Sequence, residues 1–181
     1  MQNWAEITKE KKKKNKYGAK KQTVDRETFA SKGEYKRYHM LATMEGLGEI
    51  RALKHEETFH FPKLTSGRSG QKLFIKPDFT YQLRIKQRGQ LVLKTLDDGS
   101  TAWDIRQYCE EHLPDYDTSM LLFEPVEDGV IDVWINIVED FKSPVTFKKS
   151  DFLWKWAILK HFYPQYKQQV SFRGGKIHEM V

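Results

Sequence analysis

Apolar positions along this chain recur with two different periods, and the two periods separate helices from strands. Ser31-Lys32-Gly33-Glu34 has the S-x-x-E form of a helix-opening capping box. At about 100° per residue, Glu34, Tyr38, Leu41, Ala42 and Glu45 then share one side. This predicts a helix from Ser31 to about Met44, with Glu34 at the start of its inward stripe. A second helix is predicted from Ser150 to Phe162, stopped by Pro164. Trp154, Ile158 and Phe162 share a stripe there, with Leu153 and Ala157 beside it, so Trp154 and Trp156 are expected in the core. Ala102 to His112 reads as a shorter helix, broken by Pro114.

Period-two alternation marks the strands. Extended segments are predicted at Glu57 to Pro62, Leu73 to Arg84, Leu91 to Thr95, Met120 to Pro125, Val130 to Lys142 and Gln169 to Phe172. Glu127-Asp128-Gly129 joins two of them as a hairpin, and Thr65 to Gly70 reads as a loop. The order of helix, several strands, helix, strand predicts an α/β fold: a mixed sheet of four or five strands flanked by the helices starting near Ser31 and Ser150.

Composition adds a partner. The chain has 181 residues, 39% hydrophobic and 31% charged, which suits one packed domain with an ionic coat. Its formal charge is +6 and its pI about 9.2, which favours a polyanion, nucleic acid first. The first 22 residues are crowded with lysines (Lys9, Lys11 to Lys14, Lys16, Lys20, Lys21). They are expected to form a flexible basic arm able to clamp phosphates. Residues 23–181 are expected to form the single domain. Its lone cysteine, Cys109, leaves no pair for an internal disulfide and reads as a packing residue. No stretch reaches membrane-span length, and a reducing cytoplasm is the expected compartment.

Two strings carry chemistry. In Leu73 to Tyr81, alternation sets Phe74, Lys76, Asp78 and Thr80 on one face. In Ile135 to Lys142, Asp140 and Lys142 share a face and Glu139 lies on the other; a one-residue slip would exchange them. Magnesium takes oxygen ligands, commonly one or two carboxylates with waters and substrate phosphates. Asp78 and Asp140 can supply those carboxylates from neighbouring strands. Glu34 can add a third, and Glu139 is the ligand if the register is shifted. Lys142 can neutralise charge growing on a phosphorane. Lys148, Lys149, Lys155 and Lys160, with Lys20 and Lys21 of the arm, are candidates for gripping a nucleic-acid backbone. Asn136 shares the face of Asp140. The histidines show no zinc spacing.

These residues resemble the PD-(D/E)XK nuclease superfamily, and more narrowly a phage and prophage family related to Holliday junction resolvases. The resemblance rests on Lys16 to Lys21, Phe29 to Tyr38, Pro77-Asp78-Phe79-Thr80-Tyr81, Val138 to Lys142, Trp154-Lys155 and Phe162-Tyr163-Pro164. It implies a restriction-endonuclease-like core and an Mg²⁺- or Mn²⁺-dependent endodeoxyribonuclease. Glu34, Asp78, Asp140 and Lys142 would form its catalytic set. It also implies branched DNA as substrate, 5′-phosphate products and a homodimer. The sequence departs from the family in spacing: some 60 residues separate Asp78 from Asp140, so residues from about 86 to 130 read as an insertion. Asp132 in place of Asp78, or Leu93-Lys94 as a degraded second motif, are weaker assignments. The alternative from another class is a non-catalytic DNA-binding or host-protein-binding module on the same fold.

Overall fold

Strand pairing converges on one long strand. The computed structural model describes residues 21–24, 27–65, 69–143, 147–148, 150–173 and 175–180. In chain order, a small hairpin of β1 (Gln22–Val24) and β2 (Glu27–Phe29) precedes α1 (Lys32–Gly46) and β3 (Ile50–His55). A second hairpin, β4 (Phe59–Thr65) and β5 (Lys72–Ile75), leads into the 12-residue β6 (Phe79–Gln90). Next come a third hairpin, β7 (Leu93–Thr95) and β8 (Thr101–Trp103), then α2 (Ile105–His112) and β9 (Leu121–Glu127). The 13-residue β10 (Val130–Lys142), α3 (Ser150–Phe162), β11 (Tyr166–Phe172) and β12 (Ile177–Glu179) complete the described elements.

The main sheet of the described residues is mixed and six-stranded, in the order β12-β11-β10-β6-β3, with β9 also paired to β10. Its β10–β11 pairing is parallel and the others are antiparallel. β9 occupies the Val130–Ile135 half of the β10 edge and β11 the Asn136–Lys142 half. The protein is therefore α/β as expected, with a broader sheet. β3 and β12 are absent from the hydrophobic pattern. β3 carries Ala52 at φ 55° and a register shift between Arg51 and Lys54, and a bulge of this kind breaks the alternation that marks a strand.

The expected Leu73 to Arg84 strand is two strands. Pro77 has no N–H to donate and restricts the residue before it. The chain leaves the β4–β5 hairpin there and re-enters the main sheet at Phe79.

Each face of β10 has its own core. Ile131, Val133, Ile135 and Ile137 point towards α1 and α2, packing with Leu41, Phe79 and Tyr108. Cys109 is buried in this same cluster. Val138 points the other way, into a second cluster with Phe59, Phe61, Phe152, Trp156 and Leu159 from the β4–β5 hairpin and α3. A fully buried side chain such as Leu159 contributes about 1.5–3 kcal/mol. α3 begins and ends where the pattern predicts but is rotated. Phe152, Trp156 and Leu159 face inward, and Trp154 is 62% exposed. Large apolar residues, Leu153 and Trp154, also stand on the exposed side of this helix, so periodicity alone does not select its buried side.

Candidate active site

The β6–β10 register aligns Glu139 with Phe79 and Val138 with Thr80. Extending it by one residue sets Asp140 opposite Asp78, just where the chain turns out of β6. The Asp78 carboxylate, through Oδ2, accepts a hydrogen bond from the Phe141 backbone N–H at 2.7 Å. Lys142 Nζ lies 2.6 Å from Asp140 Oδ2 and 3.5 Å from Asp78 Oδ2. Two carboxylates separated in sequence thus meet around one ammonium, all three largely removed from solvent.

With all three groups ionised, this cluster would carry one more negative charge than positive. Burial first, then the neighbouring Asp78 carboxylate, pushes the Asp140 carboxyl up to about 8, against the opposing pull of Lys142. Burial works to lower Lys142, but the charges of Asp140 and Asp78 outweigh it and hold its pKa above the usual lysine value.

Glu34 stands at the first turn of α1, which Ser31 caps by accepting from the Glu34 N–H at 3.1 Å. Its carboxylate accepts from the Ala30 N–H at 3.1 Å and meets His55 Nε2 at 3.2 Å. Only half of the expected capping box is formed, since the side chain reaches Ala30 instead of Ser31. Burial, followed by the charge of Asp78, raises the Glu34 carboxyl above its ordinary value. Glu34 is therefore near enough to Asp78 to feel its charge while engaged by His55. Glu27 completes the row, with Oε2 3.6 Å from His55 Nδ1. Phe29 lies over the His55 ring, centroid to centroid 4.6 Å. Gly33 lets this turn of α1 approach β10, because a Cβ there would come within 2.5 Å of the Phe141 ring.

Glu139 occupies the opposite face, and the strand is not slipped. Its carboxylate receives Arg37 Nε at 2.5 Å and Arg37 N–H at 2.7 Å, Tyr81 O–H at 2.8 Å, Gln169 at 2.7 Å and Ser171 O–H at 2.6 Å. Every acceptor site on this buried acid is in use, so the alternative ligand role for Glu139 is corrected to a structural one. Burial alone would raise its pKa, but the hydrogen bonds and charge of Arg37, with Ser171 and Tyr81, hold it below the usual value. Desolvation and the Glu139 charge push the Tyr81 phenol in the opposite direction, upward.

The remaining candidates disperse. Lys21, Lys148, Lys155 and Lys160 are exposed, and Lys20 and Lys149 lie outside the described residues. Asn136 accepts from Gln82 at 3.1 Å. Asp132, the weaker substitute for Asp78, sits towards the other end of β10 beside Arg84 and accepts from the Arg88 N–H. Lys94 pairs with Asp104 in the β7–β8 region. His55, Glu27, Arg37, Gln169 and Ser171 escape a reading of the sequence. Each acts through a partner distant in the chain or through a single side chain with no motif around it.

Among the described residues, no group of three or more His, Cys, Asp or Glu side chains is arranged as a metal cage. Two adjacent carboxylates nevertheless match the donor set of magnesium, which keeps waters and substrate oxygens in its shell. They do not match a closed zinc site. Comparisons with known protein families, with curated proteins and with solved structures found no match.

Proposed function

We propose that this protein is an Mg²⁺- or Mn²⁺-dependent endodeoxyribonuclease with a restriction-endonuclease-like core. The observation that carries the reading is the meeting of Asp78, at the entry to β6, with Asp140 of the adjacent antiparallel β10 around Lys142. Three further features support it. The path from α1 through β3, β6 and β10 to α3 and a parallel β11 follows the layout expected of such a core. Glu34 enters from the first helix within electrostatic reach of Asp78. The chain is basic, as suits a polyanionic substrate.

The chemistry divides among these residues. Asp78 and Asp140 would hold the divalent ion, with Glu34 beside them. When bound, the ion supplies Lewis-acid charge stabilisation for phosphodiester hydrolysis. Lys142 is set to neutralise charge growing on the phosphoryl oxygens. The Phe141 N–H fixes one oxygen of Asp78 and leaves the other side of that carboxylate for binding. His55 and the Ala30 N–H orient Glu34. Branched DNA as the preferred substrate and a homodimer as the working form belong to the same proposal, on the strength of the sequence resemblance.

The second reading, a DNA- or protein-binding module without catalysis, draws on one observation: Lys142 already pairs with both aspartates. Cleavage of labelled four-way junction, duplex and single-stranded DNA separates the two. Cutting with Mg²⁺ or Mn²⁺, none in EDTA, and a loss of about 10³-fold in Asp140→Ala, about 4 kcal/mol, are expected. DNA binding with no cutting under either metal would leave the binding module.

A further inference from the structure

The core leaves one aromatic side chain on α3 unclaimed. Phe152, Trp156 and Leu159 form the buried stripe of this helix. Trp154 lies two residues from each of Phe152 and Trp156, and so about 200° around the axis, pointing straight outward. Its indole is 62% exposed. Ala157 and His161 follow along the same outward line, and Lys155 and Lys160 flank it on either side; all four are exposed. Asp151, one turn before Trp154, is the acid of this helix, and against its two lysines, Lys155 and Lys160, it leaves these three side chains with one more positive charge than negative. Lys142 Nζ lies 5.9 Å from the centroid of the inward Phe152 ring. The inward side of α3 is thus the side nearer Lys142, and Trp154 stands about one helix diameter, ~10 Å, beyond it.

We infer that the outward face of α3 is a stacking platform for an unpaired nucleobase, with Trp154 as the stacking ring and Lys155 and Lys160 as the backbone contacts. The inference rests on the reading that the partner is nucleic acid, and it narrows that partner to strands with exposed bases: single-stranded segments, flaps or the open arms of a junction. A flat aromatic ring between lysines suits this ligand, because the bases offer faces to stack and the phosphates offer charge. A paired duplex keeps its base faces covered. A second copy of this chain fits less well. A twofold contact through this face would bring the same lysine-rich surface against itself, with Asp151 the acid of the helix available to offset it.

The test is a binding titration of the full chain in EDTA, so that it does not depend on cleavage. A 12-nucleotide oligo-dT, a duplex of equal length and vesicles of phosphatidylserine and phosphatidylcholine serve as probes, with intrinsic tryptophan fluorescence as the readout. Oligo-dT is expected to quench the fluorescence. Trp154→Ala should abolish most of the quench and weaken oligo-dT binding about tenfold, within the range for one stacked base, with little change in duplex affinity. Trp154→Phe should keep much of the affinity, and this second variant separates stacking from misfolding. Unchanged oligo-dT affinity in Trp154→Ala would overturn the inference. So would a loss confined to vesicle binding, or a dimer that dissociates in the variant while DNA affinity holds. Trp154-dependent binding by a protein that never cuts DNA would sustain the platform and sink the nuclease. Cutting that is indifferent to Trp154 on every substrate would do the reverse.

Discussion

Glu139 and Asp140 are adjacent on one strand, are both buried, and have opposite fates. Glu139 meets a guanidinium and three neutral donors on the α1 side of the sheet, and its proton is held more weakly than usual. Asp140, on the other side, meets Asp78 and shares Lys142 with it, and its proton is held far more strongly. Burial raises both; the difference is whether the surroundings match the charge. A matched buried carboxylate is a structural fastener, and an unmatched one is a place that calls for a cation.

Four measurements test this contrast, beginning with the largest effect on stability. Glu139→Ala leaves the Arg37 guanidinium buried without its partner, which should cost about 3–5 kcal/mol, seen as a lower midpoint in urea denaturation. An unchanged midpoint would mean that Arg37 finds another acceptor. Asp140→Asn, by contrast, reduces the cluster to one aspartate and one lysine. Stability should stay within about 1 kcal/mol of wild type while metal-dependent cleavage disappears. A collapse of the fold here would make Asp140 a fastener as well.

The two acids also predict opposite pH dependences. Glu139 has a lowered pKa, so its stabilising contribution is complete above the ordinary glutamate value and is lost as pH falls through its folded value. Asp140 has a raised pKa. Its contribution is complete below the ordinary aspartate range and is lost as pH rises towards about 8. Stability measured by urea unfolding from pH 4 to 9 should therefore fall in wild type as pH rises from about 4 towards about 8 and level off above that, and fall less in Asp140→Asn. An identical decline in the two proteins would contradict the surplus charge. The smallest effect belongs to the exposed lysines. Lys155→Ala with Lys160→Ala should weaken DNA binding and flatten its salt dependence by up to about two contacts' worth, with no change in melting temperature.

Much of the framework was legible in the chain. The bounds of β10 and α3 match their predicted ranges, because a strand of alternating Val and Ile and a helix ended by Pro164 are strong local signals. The meeting of Asp78 and Asp140, 62 positions apart (140 − 78), was legible through the family resemblance and not through alternation, since Asp78 lies just outside β6. What escaped was tertiary. The partners of Glu139 lie 102, 58, 30 and 32 residues away, and no period links them. The bulged β3 hid behind Ala52 and its positive φ. Sequence places Trp154 inside because α3 carries large apolar residues, Leu153 and Trp154, on its exposed side as well, so its orientation is decided by what packs against it: Phe59, Phe61 and Val138 inside, and solvent outside.

The most direct measurement is an Mn²⁺ titration followed by electron paramagnetic resonance, comparing wild type with Asp140→Asn and Glu139→Gln. Retained binding in Glu139→Gln and its loss in Asp140→Asn are the predicted result. Equal binding by wild type and Asp140→Asn would contradict the assignment of Asp140 as the centre of the site.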